Sequence, residues 1–268
     1  MNHSRTHHEI EIRHCATLAE YDQCVRLQHL VWGEDIAVPS PIFVVAHHTG
    51  GQVLGAFAPA STASSDKSQM VGFSLALAAI RSRKPYLHSH MTAVLPDFHN
   101  RGVGRRLKLF QRQDALKRGI DLIEWTFDPL DLKNAHFNFV RLGAIARKYI
   151  PDCYGVTQSP LHAGLPTDRL VAEWWLASER VKSILADNPS PMKGSAQRIS
   201  VPANLAEIRD TDREAAACLQ TLAREQFQQW FAKGYAVTGI ESRQGAADYL
   251  LEAASAIEGL DLPASVES

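Results

Sequence analysis

HSHMTAVLPDFHNRGVGRRLK runs from His88 to Lys108, and its character changes twice. Residues up to Val94 read as a strand, Pro96 breaks it, and from Gly102 to Arg118 the residues Val103, Leu107 and Phe110 fall on one helical stripe that Gly119 ends. Glycines at 102 and 104 let a ligand approach main chain that a Cβ would block. The first turn of the helix offers unpaired N–H groups at a positive dipole end. Arg101, Arg105, Arg106 and Lys108 add local positive charge, and the combination suits an anion carrying several phosphates. It is not a P-loop, which needs Gly-Lys-Ser/Thr four residues after a glycine. Nor is it a dinucleotide fingerprint, because Leu107 stands where the third glycine belongs.

Toward the N-terminus the pattern predicts a strand at Ile10 to Arg13 and a helix at Leu18 to Val31. IFVVAHH (Ile42 to His48), Thr49-Gly50-Gly51 and VLGAFA (Val53 to Ala58) read as a hairpin, and MVGFSLALA (Met70 to Ala78) as the next strand of an antiparallel meander. Toward the C-terminus IDLIEWTF (Ile120 to Phe127) is a strand broken by Asp128-Pro129. Asn134 can cap a short helix through Leu142 that Gly143 ends, and Ile145 to Ile150 is again extended. DRLVAEWWL (Asp168 to Leu176) is a strand that sends one indole of Trp174-Trp175 to each face, and Ser178 to Leu185 is helical. NPSPMKGS (Asn188 to Ser195) has the composition of a linker. Beyond it the pattern gives a strand-like RISV, an apolar-striped helix from about Thr211 to Lys233, a strand YAVTGIE (Tyr235 to Glu241) and a terminal helix.

The expected organisation is a disordered terminus at 1–8, an α/β domain over 9–187, an extension over 196–252 and a tail over 253–268. An extension of roughly 55 residues buries little surface alone, so it is expected to pack on the sheet or in a homodimer interface. Of 268 residues 45% are hydrophobic, enough for a sizeable core. Lys+Arg 28 against Asp+Glu 29 leaves a net charge of −1, which gives no global attraction to nucleic acid or an anionic membrane. No run is long and apolar enough for a membrane span, and MNHSRTHHEIEIRH lacks the apolar stretch of a secretory signal. A cytoplasmic address is the expectation. Cys15, Cys24, Cys153 and Cys218 form no CxxC pair, so neither a zinc site nor a disulfide framework is expected; His3, His7 and His8 read as part of a frayed end, and no metal is expected.

The stretch from Thr92 to Gly104 resembles motif A of the GCN5-related N-acetyltransferases, Q/R-x-x-G-x-G/A after a strand ending in a Leu-Ala-Val-like triplet. Here the triplet is Thr92-Ala93-Val94 and the loop is His99-Asn100-Arg101-Gly102-Val103-Gly104, with His99 departing from the usual Gln or Arg. Asn134-Ala135 opening a helix that ends Leu142-Gly143-Ala144 resembles motif B of that family. WTFDPL, DCYG and DRLVAEWWL resemble a branch of acyltransferases known only by assignment. The resemblance implies an α/β (α+β) fold with a mixed, mostly antiparallel, splayed sheet flanked by helices. It also implies acetyl-CoA or another acyl-CoA as co-substrate, held by Thr92, Ala93, Val94, Arg101, Gly102, Val103, Gly104, Arg105 and Asn134, and a small amine such as an amino acid as acceptor. In the family a main-chain N–H near the triplet polarises the thioester carbonyl, a role that falls to Val94.

An alkylamine is mostly ammonium at pH 7, so acyl transfer to it needs a base, an oxyanion donor and an acid for the thiolate. His88 and His90 are the candidate bases: a period of two puts them and Thr92 on one face, and neutral imidazole accepts protons near pH 7. Their spacing from the triplet matches the paired histidines of serotonin N-acetyltransferase. The plainer reading has them bonding structural groups or packing against Trp125. Glu124 and Asp128 are alternative bases or amine anchors, though Asp128 also suits a turn before Pro129. Family members often carry a Tyr four residues before the motif B glycine, where this chain has Phe139. The acid role passes to Tyr154, to Tyr149 or to water.

Overall fold

The computed structural model describes residues 10–33, 37–59, 68–155, 164–188 and 197–257. Residues 189–195 of the expected linker Asn188 to Ser195 and the terminus at 1–8 lie outside them, as does the tail from 258 onward. Two compact units divide the chain, one ending at Ile120 and the other beginning at Asp121. The fold is α/β.

The first unit runs β1 (Glu11–His14), α1 (Leu18–Trp32), α2 (Ser40–His48), β2 (Gln52–Ala58), β3 (Gln69–Arg81), β4 (Lys84–Val94) and α3 (Val103–Lys117). Its strands lie in the order β1-β2-β3-β4, each pair antiparallel. Thr17 and Glu20 form a reciprocal capping box that starts α1. On one sheet face Tyr21, Cys24 and Leu27 of α1 and Phe43 and Ala46 of α2 bury against Phe73, Leu75 and Ala93; on the other, Val103 and Leu107 of α3 bury against Leu54 and Val71.

The expected strand at Ile42 to His48 is instead helix α2. Pro39 caps it and Pro41 sits in its first turn, where a missing N–H costs nothing. Phe43 and Ala46, three apart, are buried, while Ile42 and Val45 are 38% and 53% exposed. The β-branched run therefore follows helical burial, because packing outweighs propensity.

The second unit contains β5 (Leu122–Phe127), α4 (Leu132–His136), a π-helical turn (Phe137–Arg141), β6 (Ile145–Ile150), β7 (Arg169–Trp175) and α5 (Glu179–Leu185). It continues through β8 (Gln197–Pro202), α6 (Leu205–Thr211), α7 (Arg213–Ala232), β9 (Tyr235–Arg243) and β10 (Ala246–Ala253). Its strand order is β5-β7-β6-β9-β10-β8, each pair antiparallel. Two sequence expectations change. Asp131, not Asn134, caps the motif B helix, accepting from the Asn134 N–H at 3.0 Å. The expected helix from about Thr211 to Lys233 stands as α7, capped by Asp212 through the Ala215 N–H. The terminal helix is strand β10, turned back on β9 by Gln244-Gly245 with Gly245 at φ 76°, a conformation that favours glycine.

Candidate active site

The turn before α3 is built as an anion cradle. Gly102 is the N-cap at φ 74°, no side chain caps the helix, and its first turn holds no acid. A Cβ on Gly102 would meet nothing within 4 Å, and one on Gly104 would meet only Val94 Cγ2 at 4.0 Å. The chain therefore leaves open the space that the glycines expose. Arg105 Nε is buried without a hydrogen-bond partner among the described residues, and Arg101 is exposed above the Phe98 ring at 5.0 Å. Row of amides, open glycine surface and an unsatisfied guanidinium nitrogen fit a diphosphate. The other two expected cations are committed elsewhere: Arg106 donates to the Ile10 carbonyl and Lys108 to Ser89 Oγ.

His99, the residue that departs from motif A, donates from Nε2 to the Val94 carbonyl at 2.9 Å. A carbonyl only accepts, so the hydrogen sits on Nε2. The contact spans the 3-10 turn Pro96–Phe98 and ties the loop to the end of β4. Leu95 donates its N–H to Val71 on β3 at 2.9 Å. Neighbouring residues of an antiparallel ladder send their amides to opposite sides, so the Val94 N–H points away from β3.

The expectation that His88, His90 and Thr92 share a face needs correction. Met91 pairs with Leu75 and Ser89 with Ala76, so His90 is an extra residue, a β-bulge. His88 then pairs with Leu77 and Thr92 with Ser74. Residues 74 and 77 face opposite sides of β3, so His88 and Thr92 do too. The two imidazoles do lie together, with ring centroids 6.3 Å apart. Burial lowers the proton affinity of both below the usual imidazole value, and the positive charges of His90 and Lys108 lower that of His88 further. Both rings favour the neutral, proton-accepting form.

Sequence reasoning missed the polar floor behind this strand. Lys108 Nζ lies 2.8 Å from Ser89 Oγ and 3.2 Å from Gln111 Oε1, and Ser74 Oγ lies 3.0 Å from Thr92 Oγ1. Lys108 and Gln111 are buried on the inner face of α3 beside Val103, Leu107 and Ala115. Their signal was available: both flank the apolar stripe, where a solvated residue is out of place.

The remaining candidates belong to the second unit. The Tyr154 hydroxyl meets Thr126 Oγ1 at 2.8 Å, and its ring, half exposed, lies under Arg169. Tyr149 donates to Asp168 at 2.6 Å, and burial with that carboxylate pushes its proton affinity up, so it is a structural phenol. Phe139 is buried against Phe127 and Tyr249. Asp128 accepts from the Leu130 N–H and pairs with Arg209, as a turn former does. Glu124 is buried opposite Glu173. Trp174 is fully buried and donates to the Leu142 carbonyl, whereas Trp175 is half-buried. Asn134 is half-buried inside α4. Among the described residues there is no cluster of three metal-binding side chains, and no helix is long and apolar enough to cross a membrane.

No protein-family model and no curated protein matches the chain. Solved structures do. Arabidopsis thaliana NAA60 in complex with acetyl-CoA matches with a TM-score of 0.51 at 10% identity, over 62% of this chain and 99% of that one. The ribosomal-protein-S18-alanine N-acetyltransferase from Escherichia coli matches with a TM-score of 0.46 at 13% identity, over 62% and 92%. An aminoglycoside acetyltransferase from an uncultured soil metagenomic sample, in complex with sisomicin, gives 0.40 at 19% identity, over 48% and 84%. The chain has the fold of the GCN5-related N-acetyltransferases; at these identities the fold is what is shared.

Proposed function

We propose that the protein is an acyl-CoA-dependent N-acyltransferase that moves an acetyl group, or a larger one such as succinyl, to the primary amine of a small molecule such as an amino acid. The observation that carries this reading is the uncapped, glycine-lined start of α3 following a bulged strand that bears two neighbouring imidazoles of lowered proton affinity. A nucleotide cradle and a proton acceptor on one short stretch are what acyl transfer from a CoA thioester to an amine requires.

Amides from Arg101 to Arg105, with the Arg105 guanidinium, hold the diphosphate. Bound acyl-CoA would supply the thioester carbonyl as electrophile. The Val94 N–H, directed away from β3, is the donor for the developing oxyanion. His88 and His90 remove the ammonium proton, directly or through water, so that the free amine attacks without a covalent enzyme intermediate. A thiolate of pKa near ~8.5 is a tolerable leaving group, and Tyr154 is the candidate to protonate it.

Thiol release from acetyl- and succinyl-CoA, followed with a chromogenic disulfide across amino acids, other amines and short peptides, tests the reading. Amine-dependent release supports it, and a peptide-only response moves the acceptor to proteins. Saturable CoA binding with no amine-dependent release from either donor would replace it with a sensor or scaffold.

A further inference from the structure

A sheet-facing helix position normally carries an apolar side chain, and α3 follows that rule at Val103, Leu107 and Ala115 but not at Lys108 and Gln111. Burying an ammonium is costly, and here desolvation pushes the Lys108 amine down to about 7. Such a residue is retained for what it holds. Lys108 Nζ reaches Ser89 Oγ at 2.8 Å, and Gln111 Nε2 lies 3.4 Å from the same hydroxyl and 3.5 Å from Ser74 Oγ. Ser74 in turn meets Thr92 Oγ1 at 3.0 Å and the Met91 carbonyl at 3.4 Å. Ser89 precedes the extra residue His90, and Thr92 follows it by two. A bulge forfeits ladder hydrogen bonds and needs holding from elsewhere. In β4 it is held from α3.

We propose that Lys108 is a positioning residue: by gripping Ser89 on the α3 side of the sheet it fixes the bulge that turns His88 and His90 together toward the other side, and it takes no part in phosphate binding. Ser89 lies between the two histidines in the chain, so fixing its side chain on one face sets the direction of both neighbours. The inference rests on the reading that those histidines serve acyl transfer, and its test keeps the two apart.

Lys108→Met, Lys108→Arg and Ser89→Ala are compared with the wild type by calorimetric titration with coenzyme A, by steady-state kinetics and by the 13C-labelled histidine ring resonances. In Lys108→Met, CoA binding stays within about twofold, kcat falls by about tenfold or more, and the His88 and His90 resonances move. Lys108→Arg keeps a donor toward Ser89 and recovers part of kcat. Adding His88→Ala to Lys108→Met costs less than His88→Ala alone, because the two act through one geometry. CoA binding weakened tenfold with kcat and ring resonances unchanged would make Lys108 a phosphate contact and overturn the proposal, as would fully additive losses. Should Lys108→Met not fold, Ser89→Ala decides: lowered kcat with unchanged CoA binding supports it, and unaltered kcat and resonances sink it. If the wild type turns over no amine, the ring resonances still decide the inference, and only the functional reading fails.

Discussion

A histidine stripped of part of its water loses proton affinity, and His88 and His90 both show that depression. The sign follows directly. The folded rings deprotonate below about 6.5, the usual imidazole value, so the acid limb of kcat/KM is expected below that pH and most of the base is available at 7. His88→Ala with His90→Ala should lower kcat/KM at pH 7 by about 100-fold or more, and by clearly less at pH 9, where more of the amine is already neutral. A pH-rate profile checks both, and equal losses at the two pH values would remove the histidines from proton transfer. The HxH spacing was legible at this scale, but the bulge that takes Thr92 off the face of His88 was not. A bulge adds one residue to one strand, and nothing in the letters of HSHMTAV marks which residue is extra. Lys108 was read only as a charge, although its place beside the Val103 and Leu107 stripe marks the side of α3 that meets the sheet.

Elements show where local rules suffice and where they fail. The strand, turn and helix around Gly102 and Gly104 follow from caps and breakers, and they stand where the sequence puts them. Helix α2 does not, because a short apolar run flanked by Pro and Gly satisfies strand and helix patterns equally. The α3 start makes a sharper prediction than either. Gly104→Ala places a methyl in space where the protein itself offers only Val94 Cγ2 at 4.0 Å. Alanine is favoured over glycine within a helix by about 1 kcal/mol. The variant should therefore keep or raise its urea midpoint while CoA affinity falls by about tenfold, because the methyl takes the place of the diphosphate's approach. Denaturation and calorimetry on one preparation test it. Unchanged CoA affinity would mean the diphosphate does not lie against this turn.

At the scale of the molecule, the C-terminal segment was legible as a strand, a helix and a strand, but its last strand was misread as helix because Ala and Leu dominate AADYLLEA. The residues of its attachment are what length and composition could not supply. Val237 of β9 pairs with Ala146 of β6, and α7 covers the same sheet. Phe227 of α7 stacks on Tyr149 at 5.7 Å and meets Tyr249 of β10 at 5.1 Å, and Tyr249 in turn meets Phe139 at 6.2 Å. The position where relatives often carry a tyrosine is thus filled by a phenyl ring that the extension buries. Arg224 of α7 clamps the fully buried Asp168 through Nε and Nη2 at 2.8 and 2.9 Å, beside the Tyr149 hydroxyl. Arg224→Ala strands that carboxylate with one cation fewer and should cost about 3 kcal/mol in urea denaturation. A chain ending at Asn188 loses Arg224, Phe227 and Tyr249 together and exposes Phe139 and Tyr149. It should therefore lose cooperative unfolding and aggregate, even though structures of this fold match only 62% of the chain. A soluble truncated chain that melts cooperatively at the full-length midpoint would show that the second unit is complete without its extension.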